Sequence, residues 1–173
     1  MNVLFVGRFQ PFHKKHFEII DEIHQAKNVN LIIGIAAAQY SHTKRNPFTY
    51  SEREQMIKIV LDRDGINARI VPLPDINDKD MWVDYVIKVL DNKLDLVISN
   101  NVETQMLFKK QDILCLGINI NKDGLSGTFV RDAIAERTNL WELAVDPDVI
   151  EYMKKIDGIR RIRKTYLDGD KNE

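Results

Sequence analysis

Short apolar runs alternate with amphipathic stretches along most of the chain. Continuous apolar runs predict buried β-strands over residues 3–6, 29–36, 68–71, 94–99 and 113–117. Residues 82–90 carry apolar side chains at the spacing i, i+3, i+4, i+7 and i+8, which is typical of one face of a helix. Similar spacing predicts further helices over residues 17–27, 56–61, 102–109, 129–135, 140–144 and 149–156.

Strands and helices therefore alternate in units of roughly thirty residues, the pattern of βαβ crossovers. Because such crossovers are right-handed and join parallel strands, the sequence predicts an α/β fold. We expect a single doubly wound, Rossmann-like domain with a five-stranded parallel sheet and a C-terminal helical segment. The expected divisions are the Rossmann-like domain over residues 1–135, helices packed on it over 136–168, and a flexible tail over 169–173.

Composition narrows the class of protein. The chain has 173 residues, of which 44% are hydrophobic and 29% charged, which is the balance of an ordinary globular protein. The 25 Lys and Arg residues are offset by 26 Asp and Glu residues, which argues against a dedicated nucleic-acid binder. A single cysteine, Cys115, excludes an internal disulfide and a cysteine-rich zinc site.

No segment is predicted to enter a membrane. The longest apolar run, residues 31–38, is far shorter than the ~20 residues that span a bilayer. Only four consecutive apolar residues precede Gly7 and Arg8, so we expect no signal-peptide core and a cytoplasmic protein.

Candidate chemistry lies in the loop after the first predicted strand. The loop contains Arg8, and it places His13 and His16 three residues apart where a helix begins. A helix N-terminus carries free N–H groups and partial positive charge, so two imidazoles there are well placed to donate to phosphate oxygens. The helix dipole is expected to lower their pKa. Alternatively, both histidines lie on the surface. A metal site needs a third ligand, and none is evident.

A second anion site is indicated by Ser126, Gly127 and Thr128, followed by Arg131. Ser126 or Thr128 can cap a helix, Gly127 lets a ligand approach the backbone, and Arg131 projects from the first turn. Taken alone, the motif also fits an ordinary capped helix with a solvated arginine.

Taken together, these motifs resemble a known family. The segments Gly7-Arg-Phe-Gln-Pro-Phe-His-Lys-Lys-His16 and Ser126-Gly-Thr-Phe-Val-Arg131 resemble the nucleotidyltransferase superfamily with its HxGH and SxTxxR-type motifs. With Ser41-His42, Asn46-Pro-Phe-Thr49, Asp75 and Trp82 in the same order, the chain resembles archaeal-type nicotinamide mononucleotide (NMN) adenylyltransferases. Lys15 stands where the HxGH motif has glycine, and Asn100 replaces the glycine of the family's Ser-Gly-Asn segment.

The resemblance implies transfer of the adenylyl group of ATP to NMN, which forms NAD and pyrophosphate. It implies Mg²⁺ carried by ATP, and a homo-oligomer whose ligands are ATP, NMN and NAD, with no nucleic acid or membrane. The implied catalytic residues are His13, His16 and Arg131. The implied ATP and phosphate contacts are Gly7, Arg8, Phe9, Gly34, Ile35, Ser126, Gly127 and Thr128. The implied NMN contacts are Arg45, Asp75 and Trp82.

Several alternatives remain open at this point. One alternative is that the acceptor is another phosphorylated compound, such as phosphopantetheine or flavin mononucleotide. Another is that the chain is a weakly catalytic module that senses nucleotides. Trp82 either stacks on the nicotinamide ring or belongs to the core, since the apolar helix pattern begins with it. The basic residues of the segment 160–164 are expected to form a solvated helix face, with contact to an acidic partner as the alternative.

Overall fold

The computed structural model describes residues 1–79, 81–118 and 124–169, and its centre is a five-stranded parallel sheet. The strands are β1 (Asn2–Gly7), β2 (Asn30–Ala36), β3 (Arg69–Leu73), β4 (Leu96–Ser99) and β5 (Cys115–Gly117). Their order across the sheet is β3-β2-β1-β4-β5. All four pairings are parallel, which confirms the predicted doubly wound α/β fold.

Helices follow the strands as the periodicity predicts. They are α1 (Lys14–Gln25), α2 (Tyr50–Arg63), α3 (Trp82–Val89), α4 (Val102–Lys110), α5 (Gly127–Ala135), α6 (Pro147–Lys155) and α7 (Gly158–Asp168). The segment Leu140–Leu143 forms a short 3-10 helix. No helix among the described residues has both the length and the hydrophobicity needed to cross a bilayer.

Local signals explain where the helices begin. Thr49 and Glu52 form a reciprocal capping box at the start of α2. Asp146 caps α6 through the N–H of Asp148, with Pro147 as the first helical residue.

Central and edge strands differ in burial. The middle residues of β1 and β2 and all of β4 are buried, since helices cover both faces of the sheet. In the edge strand β3, Arg69 and Pro72 are exposed, and a proline is tolerated there because an edge strand need not donate every N–H.

The chain divides into two compact units, which are interleaved along the sequence. The first comprises Met1–Arg8, Ile20–Ala38 and Asn67–Asn119, and the second comprises Phe9–Ile19, Gln39–Ile66 and Ile120–Glu173. The expected boundary after residue 135 stays a prediction. Of the expected tail, residues 170–173 lie outside the described residues.

The first unit contains the sheet and a core cluster that also includes side chains of α3 and α4. Its buried members are Leu4, Val6, Ile32, Val71, Leu73, Trp82, Val83, Val86, Leu90, Val97, Phe108 and Cys115.

In the second unit, α7 packs on α5 and α6, and α6 packs on α2. The predicted solvated basic face of α7 is wrong for two of its residues. Arg161 makes two hydrogen bonds to Glu52, at 2.6 and 2.9 Å, and the Arg163 Nε donates to the carbonyl of Ile134. Both partners are remote in sequence, so the helical pattern of residues 158–168 contains no sign of them.

Candidate active site

The loop between β1 and α1 is buried rather than solvated. Residues 9–13 are all buried, and His13 and His16 expose only 2% and 6% of their surface. The alternative that the two histidines are surface residues is therefore wrong. We call residues 9–16 the histidine loop.

His16 also closes the first turn of α1. The backbone N–H of His13 donates to His16 Nδ1 at 3.2 Å, while the carbonyl of His13 accepts from the N–H of His16 at 2.9 Å. The imidazole thus plays the part that a glutamate plays in a capping box. Because Nδ1 accepts this bond, the proton of the neutral ring is on Nε2.

The two imidazoles lie against each other and against aromatic rings. The ring centroids of His13 and His16 are 3.6 Å apart with their planes inclined by 28°, and the Phe9 ring packs edge-on against His16 at 4.7 Å. This packing fixes the direction in which both rings point. The Nδ1 atom of His13 is buried, and no described residue offers it a hydrogen bond.

Burial keeps both histidines neutral. It lowers the pKa of His13 to about 3, and burial followed by the proximity of His13 lowers the pKa of His16 well below its usual value. The helix dipole that we invoked from the sequence is therefore secondary to the loss of water around the rings.

Arg131 is bound to the histidine loop. Its Nη1 donates to the carbonyl of Gln10 at 2.8 Å, and its Nη2 donates to Thr128 Oγ1 at 3.2 Å. Its Nε is buried and has no hydrogen-bond partner in the described part of the chain. Burial lowers its pKa, but a guanidinium stays charged. The alternative of a solvated arginine is therefore wrong.

The start of α5 explains the glycine of this motif. Ser126 is the cap, since its Oγ accepts from the N–H of Phe129 at 3.1 Å. A Cβ atom on Gly127 would lie 3.1 Å from the carbonyl oxygen of Gln10 and 3.4 Å from Arg131 Nη1. Glycine thus permits the close approach through which α5 reaches the histidine loop.

Further cations lie near this cluster in the second unit. Lys44 Nζ is 4.9 Å from the ring centre of Tyr166, whose hydroxyl donates to Asp132 at 2.6 Å. Burial and then the Asp132 bond raise the pKa of Tyr166 to about 12, so its hydroxyl keeps its proton. Arg45 is exposed, and its charge contributes to lowering the pKa of Arg131.

The other predicted residues belong to the first unit. Gly7 is the last residue of β1 and Arg8 follows it, and Gly7 is opposite Ile35 in the β1–β2 pair. Gly34 lies within β2, where an added Cβ would be 2.5 Å from Leu73 Cδ1. Core packing therefore accounts for this glycine, and its contact with adenosine stays a prediction.

Trp82 is a core residue of the first unit. It is 7% exposed, its Nε1 donates to the carbonyl of Pro74 at 3.0 Å, and its ring meets that of Phe108 edge-on at 5.8 Å. These contacts favour the core alternative, while a contact with the nicotinamide ring stays a prediction. Asp75 is exposed on the segment that leads into α3.

Sequence reasoning missed Gln10, which is 3% exposed. Its side-chain amide donates to the carbonyl of Phe48 and accepts from the N–H of Phe48, both at 2.9 Å. The available signal was a polar residue enclosed by apolar neighbours, Phe9 and Pro11, in a loop.

Within residues 1–79, 81–118 and 124–169, no group of three or more His, Cys, Asp or Glu side chains is arranged to hold a metal ion.

Comparisons with known proteins identify the family. The cytidylyltransferase-like family model matches residues 4–133. The chain belongs to this family of nucleotidyltransferases. It is 41% identical to the nicotinamide-nucleotide adenylyltransferase of Thermoplasma volcanium, across 92% of this chain and 89% of the relative. It is 39% identical to the enzyme of that name from Thermococcus sibiricus, across 100% of this chain and 94% of the relative. The resemblance predicted from the motifs is thereby confirmed, and so is the prediction of an enzyme.

Solved structures confirm the fold. A bifunctional NMN adenylyltransferase/ADP ribose pyrophosphatase from Francisella tularensis, crystallised with AMP and a manganese ion, superposes with a TM-score of 0.70 at 24% identity. The match covers 96% of this chain and spans 52% of the bifunctional one.

Proposed function

We propose that this protein transfers the adenylyl group of ATP to NMN, forming NAD and pyrophosphate. The observation that carries the proposal is the buried His13–His16 pair with Arg131 bonded to the same loop. The name shared by the relatives from Thermoplasma volcanium and Thermococcus sibiricus supports NMN as the acceptor.

In this reaction a phosphate oxygen of NMN forms a bond to the α-phosphorus of ATP. The bond from that phosphorus to the bridging oxygen of the β-phosphate breaks, and pyrophosphate leaves with the electron pair. Since the attacking phosphate is already an anion, no side chain has to remove a proton. Catalysis then consists of positioning and charge stabilisation, as in other phosphoryl-type transfers.

The histidines are suited to donate rather than to accept. His16 presents Nε2–H because its Nδ1 is occupied by the N–H of His13. The negative charge of a bound triphosphate raises the pKa of a nearby imidazole, so the pair gains positive charge only when the anion is present. Such a donor, held in place before the reaction, costs no reorganisation in the transition state.

Arg131 supplies the remaining charge. A guanidinium has five N–H donors, and two of them are bonded to Gln10 and Thr128. The buried Nε–H, which has no hydrogen-bond partner among the described residues, is suited to the β- and γ-phosphates that leave as pyrophosphate. Ser126, Gly127 and the exposed Thr128 place backbone N–H groups at the start of α5 for the same purpose.

The other contacts are proposed from the family pattern. Gly7, Arg8, Phe9, Gly34 and Ile35 serve ATP, and Arg45, Asp75 and Trp82 serve NMN. The side chains proposed to bind the triphosphate, His13, His16 and Arg131, include no carboxylate, the ligand that Mg²⁺ prefers among side chains. Mg²⁺ comes with ATP and neutralises part of its phosphate charge. The homo-oligomer and the cytoplasmic location stay predictions.

The proposed function is tested by incubating the protein with ATP, Mg²⁺ and one acceptor at a time, with pyrophosphate and the dinucleotide product both quantified. NMN, nicotinic acid mononucleotide, phosphopantetheine and flavin mononucleotide are the acceptors. We expect NAD from NMN at the highest kcat/KM. A higher kcat/KM with phosphopantetheine or flavin mononucleotide would assign another acceptor, and ATP binding without pyrophosphate release would assign a sensor.

Arg131→Lys tests the phosphate assignment in the same assay. A lysine is a point charge and cannot reproduce the guanidinium fork, so we expect the KM for ATP to rise about tenfold while the KM for NMN stays within twofold. Arg137→Lys, an exposed arginine just beyond α5, is the matched control and should leave both constants unchanged. A rise in the KM for NMN alone would place Arg131 on the acceptor.

A further inference from the structure

We propose that Gln10 is a positioning residue for adenylyl transfer, holding Arg131 and the two histidines in register through a two-bond contact with Phe48. The proposal rests on the proposed function for its kinetic consequence. Its structural basis is independent of the acceptor, since it concerns how the triphosphate-binding groups are held.

Gln10 and Phe48 are joined by two reciprocal hydrogen bonds. The Gln10 amide donates to the Phe48 carbonyl and its oxygen accepts from the Phe48 N–H, so one side chain satisfies both backbone polar groups of a buried residue. Phe48 is completely buried, and Gln10 is 3% exposed. Hydrogen bonds shielded from water in this way are costly to break, because each unpaired partner keeps the full penalty of desolvation.

The main chain of the same residue holds Arg131. The Gln10 carbonyl accepts from Arg131 Nη1 at 2.8 Å, and this bond holds the guanidinium together with the bond from Nη2 to Thr128 Oγ1. The side chain of Gln10 fixes where this carbonyl lies, and the carbonyl then fixes the fork of Arg131. Phe9, the preceding residue, packs on His16, so a shift of Gln10 also moves the imidazole pair.

The segment that contains Phe48 is itself held by hydrogen bonds. Arg161 of α7 bonds Glu52 through both carboxylate oxygens and also donates to the carbonyl of Pro47 at 3.3 Å. Glu52 in turn bonds the N–H of Thr49. The segment 46–49 is therefore held in place. The two hydrogen bonds between Gln10 and Phe48 then fix the position of the histidine loop relative to this segment.

Adenylyl transfer is expected to be sensitive to small displacements of the groups that hold the triphosphate. A displacement of about 1 Å in a positioning group can cost ~100-fold in rate. Loss of the contact should therefore lower kcat more than it changes substrate affinity. A purely structural residue would lower stability and leave kcat intact in the folded fraction.

Two substitutions separate these roles. Gln10→Met keeps the length of the side chain and removes both bonds to Phe48. Gln10→Glu keeps the acceptor, and its carboxyl replaces the donor only when protonated. Val149→Ala is the control, since Val149 is fully buried in α6, which packs on α2 and α7 of the same unit, and its truncation lowers stability. All are assayed below their melting temperatures.

For Gln10→Met we expect kcat to fall about thirtyfold. We expect the dissociation constant for ATP alone, measured by calorimetry, to rise about fivefold, while the KM for NMN stays within twofold. Val149→Ala should match wild type in all three. For Gln10→Glu, burial raises the pKa of the introduced carboxyl, so its kcat relative to wild type should rise as pH falls from 8 to 5.5.

A Gln10→Met variant with wild-type kcat and ATP affinity would overturn the proposal, as would a Val149→Ala variant with equal losses. If Gln10→Met does not fold, the pH dependence of Gln10→Glu decides, and a ratio that is flat with pH refutes the role. If wild type forms no NAD from NMN, the proposed function fails, and the ATP dissociation constants alone decide on Gln10.

Discussion

The histidine loop and the segment from β3 into α3 both bury large ring side chains, but they differ in whether the buried polar atoms have hydrogen-bond partners. In the histidine loop, His13 Nδ1 lies buried without a hydrogen-bond partner from the described residues, and so does Nε of Arg131 beside it. In the other segment, the polar atom of Trp82 is bonded to the carbonyl of Pro74. A buried polar atom left unpaired costs on the order of 1–3 kcal/mol. The comparison thus contrasts buried polar atoms without a partner among the described residues, which we propose bind the triphosphate, with a buried indole N–H that is already paired.

The largest effect is expected for Trp82→Ala. Removal of a packed indole from the core of the first unit should lower the free energy of unfolding by about 3–5 kcal/mol, measured by urea denaturation. Met81→Ala, next to it and 54% exposed, is the control and should cost far less. A roughly tenfold rise in the KM for NMN with little loss of stability would instead show that the indole stacks on nicotinamide and break the comparison.

The second largest effect is expected at His16, whose Nδ1 accepts from the N–H of His13 while its Nε2 is proposed to donate to phosphate. In His16→Asn the amide oxygen can accept from the N–H of His13, but the Nε2 donor is lost. We expect kcat to fall about 100-fold, or about 3 kcal/mol, with the melting temperature nearly unchanged. His16→Gln keeps a donor near the position of Nε2 and should retain more activity with lower stability. Equal kcat values for the two variants would show that capping is the only role of His16.

The third effect concerns pH and is sharpest for His13. Its pKa is about 3 in the folded protein and close to 6.5 in the unfolded chain. The unfolded state therefore binds the proton first, and stability is lost as pH falls below 6.5. Between pH 7 and 5 this group should cost about 2 kcal/mol of unfolding free energy. His13→Asn should remove the share of His13 and leave that of His16, which is also buried neutral, while the exposed His24→Asn should keep both. An unchanged pH slope in His13→Asn would show that His13 is not buried neutral.

Elements that depend on local pattern could be predicted from the sequence. The apolar spacing of residues 82–90 predicts α3, which the structure places at Trp82–Val89. Alternation of strands and helices predicts the parallel sheet. Each of these signals lies within a single segment, where periodicity is readable.

What could not be predicted depends on contacts between remote segments. The bond from Arg131 to Gln10 spans 121 positions, and that from Arg161 to Glu52 spans 109. Both arginines have helical neighbours that suggest a solvated face. Likewise, the motifs place His13 and His16 at a helix start, but the burial that lowers their pKa comes from the surrounding rings.

The position of β1 in the middle of the sheet has a consequence for synthesis. Val3 is opposite Leu31 on one side and Leu96 on the other, so its second neighbour is made much later than its first. At about 5–20 residues per second, the ribosome needs several seconds to make the chain between β2 and β4. Throughout that interval β1, which is apolar along most of its length, has one edge without its native neighbour. Synthesis of β4 is therefore the step that protects this edge from pairing with other nascent chains.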